Sequence, residues 1–212
     1  MMRMATCCGA VVLAVHGVVP DGREARAEVI AVKPSAPPAG FPAPGRVVQA
    51  LEWVDALGEN RLVLSETGPR PSRQAEDAQD AELFAQHFHR PAAGKPFALL
   101  WALRDFVRGC PLDLQVAFVG VPQVTDLDRD GTAETTVLYV VDCFSDVSGK
   151  ATKLVLHEGR AKYAIRGASG YPEGNVLRPG TMSVDPAFKR APAALRKHAQ
   201  RLWQEQVLRR YL

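Results

Sequence analysis

Asp126-Leu127-Asp128-Arg129-Asp130-Gly131-Thr132-Ala133-Glu134 runs straight into Thr135-Thr136-Val137-Leu138-Tyr139-Val140-Val141. The first nine residues have the form D-x-D-x-D-G-x-x-E. The next seven are β-branched or aromatic at nearly every position, which suits a pleated strand and not a helix. The acidic loop therefore enters a strand. Upstream, Leu114, Val116 and Phe118 alternate with Asp113, Gln115 and Ala117, the period-2 signature of a half-buried strand. The spacing predicts a loop between two strands.

The same chemistry recurs outward from this centre. Arg46–Trp53 and Arg61–Ser65 flank Gly58-Glu59-Asn60 and predict a hairpin; Lys153–His157 and Lys162–Arg166 flank Glu158-Gly159-Arg160 and predict another. Residues Glu82–His89 alternate, with Phe84 and Phe88 on one face and His87 and His89 on the other, and Phe97–Val107 is a long apolar run. Gly68–Asp80 is polar and rich in breakers, an expected exposed loop. After Pro192 the period changes. Leu195, Ala199, Leu202, Trp203, Val207, Leu208 and Tyr211 recur at helical spacing, with arginines and a lysine between them. The fold class is mainly β (α+β): an antiparallel, meander-like sheet with one C-terminal amphipathic helix. That helix packs its Trp203 face on the sheet or lies on a membrane surface.

The front of the chain is organised differently. Arg3 precedes an apolar run from Ala5 to Pro20, and Ala25-Arg26-Ala27 has the form of a cleavage site. Residues 1–27 read as an export signal, with Glu28 as the mature start and a periplasmic or secreted destination. Val32–Gly45 holds Pro34, Pro37, Pro38, Pro42 and Pro44. Proline fixes φ and lacks a donor, so residues 28–45 are expected to form an extended tether before a single domain over 46–212. Loss of residues 1–27 leaves 23 basic and 21 acidic residues. That balance argues against a dedicated nucleic-acid binder. The remainder has no second apolar run long enough to span a bilayer.

Cys110 and Cys143 are the two cysteines beyond the signal. In an oxidising compartment they pair, or else they stay as two separately buried thiols.

Asp126, Asp128, Asp130, Thr132 (through its backbone carbonyl) and Glu134 are the candidate metal ligands. Ca²⁺ takes six or more oxygens, and carboxylates at every second position can converge on it, with Gly131 permitting the turn. Position twelve of the loop is Val137, not the bidentate glutamate of an EF-hand. The alternative is an acidic β-turn without an ion. His87 and His89 form H-x-H, which lacks a third zinc ligand. Ser145 to Ser148 is not set in a nucleophile elbow. No catalytic residue is assigned.

The nine-residue loop resembles the calcium loops of FG-GAP-type propeller repeats, although a single copy excludes a propeller. Further phrases occur in order: Leu51-Glu52-Trp53, Leu62–Gly68, Asp80–Phe84, Arg104–Val107 with Cys110–Asp113, Thr125–Glu134, Cys143–Ser148, Lys153–Leu156, Lys162–Gly167 and Asp185–Phe188. Over residues 46–208 this order resembles a family of small exported bacterial proteins labelled surface polysaccharide biosynthesis protein. The resemblance implies an envelope protein without established catalytic residues, whose partner is an unknown envelope protein or polysaccharide. The functional expectation is a non-enzymatic binding or structural protein. Its alternatives are an inhibitor or immunity-type protein against an envelope hydrolase, and a calcium-dependent carbohydrate-active enzyme.

Overall fold

A computed structural model describes residues 28–145 and 147–212. The expected export signal lies outside them. The strands in chain order are β1 (Glu28–Val29), β2 (Lys33–Pro34), β3 (Arg46–Asp55), β4 (Gly58–Glu66), β5 (Arg70–Pro71), β6 (Gln79–Arg90), β7 (Ala98–Cys110) and β8 (Asp113–Phe118). They continue as β9 (Gln123–Asp126), β10 (Glu134–Phe144), β11 (Ala151–Glu158), β12 (Ala161–Ala168), β13 (Tyr171–Glu173), β14 (Val176–Arg178) and β15 (Ser183–Val184). Helix α1 (Ala193–Trp203) follows, continued by a π-helical turn over Gln204–Leu208.

The expected antiparallel β architecture with one C-terminal helix is present, split into two sheets. One runs β1-β9-β10-β11-β12-β15, with β8 also on β10. The other runs β2-β3-β4-β6-β5, with β7 also on β6. Alternation along each strand sends one set of side chains between the sheets. Trp53, Leu62, Leu64, Leu83, Trp101 and Leu103 from the second sheet meet Val116, Val124, Val137, Tyr139 and Val155 from the first. The opposite face of the first sheet, with Leu154, Leu156 and Ile165, is covered by Leu195, Ala199, Trp203 and Val207 of the C-terminal helical segment. The result is three layers, and the sheet in the middle is buried on both faces. A lone two-sided sheet of this length exposes one apolar face, so the helix completes the packing. Trp203 is fully buried and its indole N–H donates to the Thr181 carbonyl at 3.0 Å.

Cys110 and Cys143 form a disulfide, with S–S 2.07 Å and Cα–Cα 5.7 Å. It ties the end of β7 in one sheet to β10 in the other.

Several local details differ from the sequence reading. The first hairpin turns at Ala56-Leu57, because Gly58 already pairs with Asp55. Gly58 takes φ +99°, which explains a glycine there. The strand before the acidic loop is β9, not the Leu114–Val119 segment. Gly120 and Pro122 interrupt what would otherwise be one long strand, so β8 pairs with the second half of β10 and β9 with the first. Residues 28–45 run extended apart from a turn in which the Phe41 amide donates to the Pro38 carbonyl at 3.1 Å, and they are docked. Glu28 and Val29 pair with Asp126 and Thr125, Lys33 and Pro34 with Glu52 and Leu51, and Phe41 lies 4.8 Å from Phe88. Within the expected exposed loop, Arg70 and Pro71 pair with Asp80 and Gln79.

Candidate metal centre

The acidic loop joins β9 to β10, two strands already paired at Thr125 and Glu134. A closed ladder leaves the intervening residues to fold back on themselves. Arg129 and Gly131 both take left-handed backbone, φ +65° and +86°. The turn is internally hydrogen-bonded: the Gly131 amide donates to Asp126 Oδ2 at 3.2 Å, and the Thr132 amide to Asp130 Oδ1 at 2.6 Å.

The carboxylates converge in two overlapping groups. Asp126, Asp128 and Asp130 place one oxygen each within 4.8 Å of one another, and so do Asp128, Glu134 and Glu158. Asp128 belongs to both. Asp126 and Glu134 are buried, and each keeps one orphaned oxygen. Glu134 Oε2 accepts from the Leu127 amide at 2.9 Å and from Thr125 Oγ1 at 3.2 Å, but Oε1 has no partner; neither does Asp126 Oδ1. A buried carboxylate oxygen without a donor is costly, and a cation satisfies it. The cluster can hold a metal ion. Of the expected ligands, Asp126, Asp128 and Asp130 come together as one set. Glu134 joins through Asp128, and Thr132 enters the turn through its amide.

Sequence reasoning missed Glu158. It reaches the loop because β10 and β11 pair in a register that sets Glu134 opposite Glu158. The β11–β12 hairpin was legible, so projecting its register back onto β10 was the available signal. Burial raises Glu134 to about 7, with the Asp128 charge acting in the same direction against the hydrogen bonds from Leu127 and Thr125. Burial also raises Glu158 to about 6, assisted by the charges of Asp128 and Asp130 and a hydrogen bond to Asp128. Burial is the main cause of both shifts; the neighbouring carboxylates add to it, and a cation relieves that added repulsion. Two carboxyls with raised pKa values also invite a glycosidase reading. Glu134 itself is fully buried.

A second missed residue braces the loop from the other sheet. Asp55 Oδ2 accepts from the Ala133 amide at 3.1 Å and from Trp53 Nε1 at 3.0 Å. Its Oδ1 accepts from the Leu57 amide and from Asn60 Nδ2, both at 2.8 Å. The Ala56 amide also donates to the Gly131 carbonyl at 2.8 Å.

The network continues inward from Asn60. Its Oδ1 lies 3.0 Å from His87 Nε2, so that nitrogen carries the proton. His87 sits against Trp53 and Trp101, and Trp101 stacks on His157 at 4.0 Å. Among the described residues no histidine joins a group of three metal-competent side chains. The described residues also contain no helix long and apolar enough to cross a membrane.

Comparison with protein-family models, with curated proteins and with solved structures finds no match to this chain.

Proposed function

We propose that the Asp126–Glu134 loop is a structural Ca²⁺ site in an exported, non-enzymatic binding protein of the cell envelope, acting in the periplasm or outside the cell. The observation that carries the ion site is the pair of orphaned, buried oxygens, Asp126 Oδ1 and Glu134 Oε1, within a cluster built from carboxylates alone. Hard oxygen donors without nitrogen or sulfur favour calcium or magnesium over transition metals. The mixed spacing of the loop and of Glu158 suits the larger, less geometrically demanding calcium ion. The Cys110–Cys143 disulfide supports an oxidising compartment. The ordered phrases across residues 46–208 support a role connected with surface polysaccharide.

The test is thermal. Calcium added to metal-free protein at about 100 times its Kd contributes about 2.7 kcal/mol. For a chain of this size that raises Tm by roughly 5–10 °C. Asp128→Ala, which removes the carboxylate shared by both groups, abolishes most of that rise. Identical melting curves in calcium and in chelator would refute the ion site.

A further inference from the structure

The outer face of the second sheet carries a group of arginines that the ion site does not use. Leu83, Ala85 and His87 of β6 point between the sheets, so Glu82, Phe84 and Gln86 point outward. Pairing with β7 sets Glu82 opposite Phe106 and Phe84 opposite Arg104. Glu82 is only 5% exposed, yet it meets three guanidinium groups. Arg70 and Arg108 reach its Oε1, Arg108 at 2.9 Å, and Arg104 Nη2 reaches its Oε2 at 2.6 Å. Asp80 accepts from the Gly109 amide at 2.8 Å and faces Arg108 Nε at 3.9 Å. Arg104 and Arg108 also stand 5.5 and 4.5 Å from the centre of the Phe106 ring. Burial opposes ionisation of Glu82, but its hydrogen bonds from Arg104, Arg70 and Arg108 outweigh it and hold the carboxyl below its ordinary value.

Arg70, Arg73, Asp80, Glu82, Arg104 and Arg108 line a hollow of about 730 Å³, and the Phe106 ring lies beside it against Arg104 and Arg108. Four guanidiniums face two carboxylates there, an excess of positive charge in a small volume. One carboxylate does not balance three guanidiniums; it fixes them. Each uses only part of its five-donor fork on Glu82, and the side chains of Arg70 and Arg104 are 46% and 56% exposed. Their remaining donors are pre-aimed at solvent, and the repulsion among them is relieved by an anion. A planar fork matches a carboxylate better than a point charge does. The hollow is of a size that takes several linked rings and exceeds what one small anion fills. Phe106, 48% exposed between Arg104 and Arg108, offers an apolar surface to the C–H face of a sugar. The chain as a whole carries only +3, so the patch reads by local geometry and not through a broad field of the kind that gathers nucleic acid.

We propose that this arginine hollow binds the carboxylate groups of an acidic polysaccharide. The site and its anion chemistry stand on the geometry; the choice of a glycan rests on the envelope-polysaccharide reading above. The test is calorimetric titration of the intact chain with oligogalacturonate, neutral dextran oligomers, inorganic phosphate and phosphatidylglycerol vesicles. Calcium-free buffer prevents uronates from bridging to the acidic loop through an ion. Oligogalacturonate is expected to bind, the other three probes are not. Arg104→Gln and Arg73→Gln each weaken binding about tenfold, the worth of one charge-assisted carboxylate contact, while Lys189→Gln leaves it unchanged. Arg73 lies in an exposed loop, so its variant keeps the fold, and an unchanged Tm checks this. Equal binding by the arginine variants, or tighter binding of phosphate or vesicles, overturns the proposal. Dextran bound equally by wild type and variants overturns the arginine site and leaves a polysaccharide role standing. Binding of no glycan removes both and leaves the calcium site to its own thermal test.

Discussion

Asp55 and Ala133 are 78 residues apart and joined by a 3.1 Å hydrogen bond, the Ala133 amide donating to Asp55 Oδ2. The hairpin turn of one sheet thereby holds the acidic loop of the other. Asp55→Ala removes the acceptor of the Trp53 indole and of the Leu57 and Ala133 amides, and leaves the Asn60 side-chain amide with the Gly58 carbonyl alone. Loss of a carboxylate that satisfies several donors is expected to cost about 2–4 kcal/mol in urea unfolding and to weaken the calcium-induced rise in Tm. Unchanged stability would show that water replaces Asp55 without loss.

The Cys110–Cys143 bridge closes a segment with a sequence separation of 33. On the chain-entropy model its removal destabilises by about 3–4 kcal/mol. The double variant Cys110→Ala, Cys143→Ala should show this in denaturant unfolding. Non-reducing peptide mapping of the native protein should recover the two cysteines in one cross-linked pair.

His87, His157 and His198 are buried and uncharged. Burial depresses His87 and His157 to about 3 and His198 to about 4; His89 acts on His87, Lys162 on His157 and Arg201 on His198 in the same direction. The unfolded chain protonates these rings near pH 6.5, and the folded chain only near 3 to 4. Unfolding therefore takes up protons across that window. The stability is fully present above pH 6.5 and is lost as pH falls, by about 1.4 kcal/mol per pH unit for each ring. Glu134 and Glu158, with raised values, act in the opposite sense. The test is therefore a difference: His198→Leu should gain on wild type steadily between pH 6.5 and 4. Parallel pH curves would mean that His198 charges without unfolding.

Gly167 sits where β12 meets the segment before the helix. A Cβ there would lie 2.2 Å from the Thr181 carbonyl oxygen and 3.0 Å from Trp203 Cζ2. Neither can yield without breaking the Trp203 indole bond to that same carbonyl. Gly167→Ala is expected to destabilise by about 1–3 kcal/mol through overpacking, and Trp203→Ala by about 3–5 kcal/mol. Trp203 fluorescence should report the first change as a loss of burial.

Features carried by neighbouring residues were legible in the sequence. The Glu158–Arg160 hairpin, the helical spacing after Pro192 and the converging aspartates each depend on a few adjacent positions. Features set by distant pairing were not. Glu158 belongs to the acidic cluster only through the β10–β11 register, and Asp55 only because two sheets pack face to face. Residues 28–45 carry the signature of a tether, since two-residue strands and the Phe41–Phe88 contact leave no periodic trace. The arginine hollow was hidden for the same reason: Arg70, Glu82, Arg104 and Arg108 lie on three strands, and alternation alone does not say which of their neighbours is across the ladder.

The pairing of Glu28 and Val29 with Asp126 and Thr125 has a kinetic consequence. Strands β3 to β7 and β10 to β12 each fold against neighbours in sequence, so both sheets can begin from local hairpins. The first strand has no such partner. It must wait until nearly a hundred intervening residues have been organised, and the entropy of closing so long a loop rises only slowly with length but is met by just two ladder positions. Its docking is therefore a late event, reported by protection of the Ile30 amide, which donates to the Val124 carbonyl at 3.1 Å. In hydrogen-exchange pulse labelling that amide should become protected after those of β4 and β11, making the earliest strand of the described residues among the last to find its place.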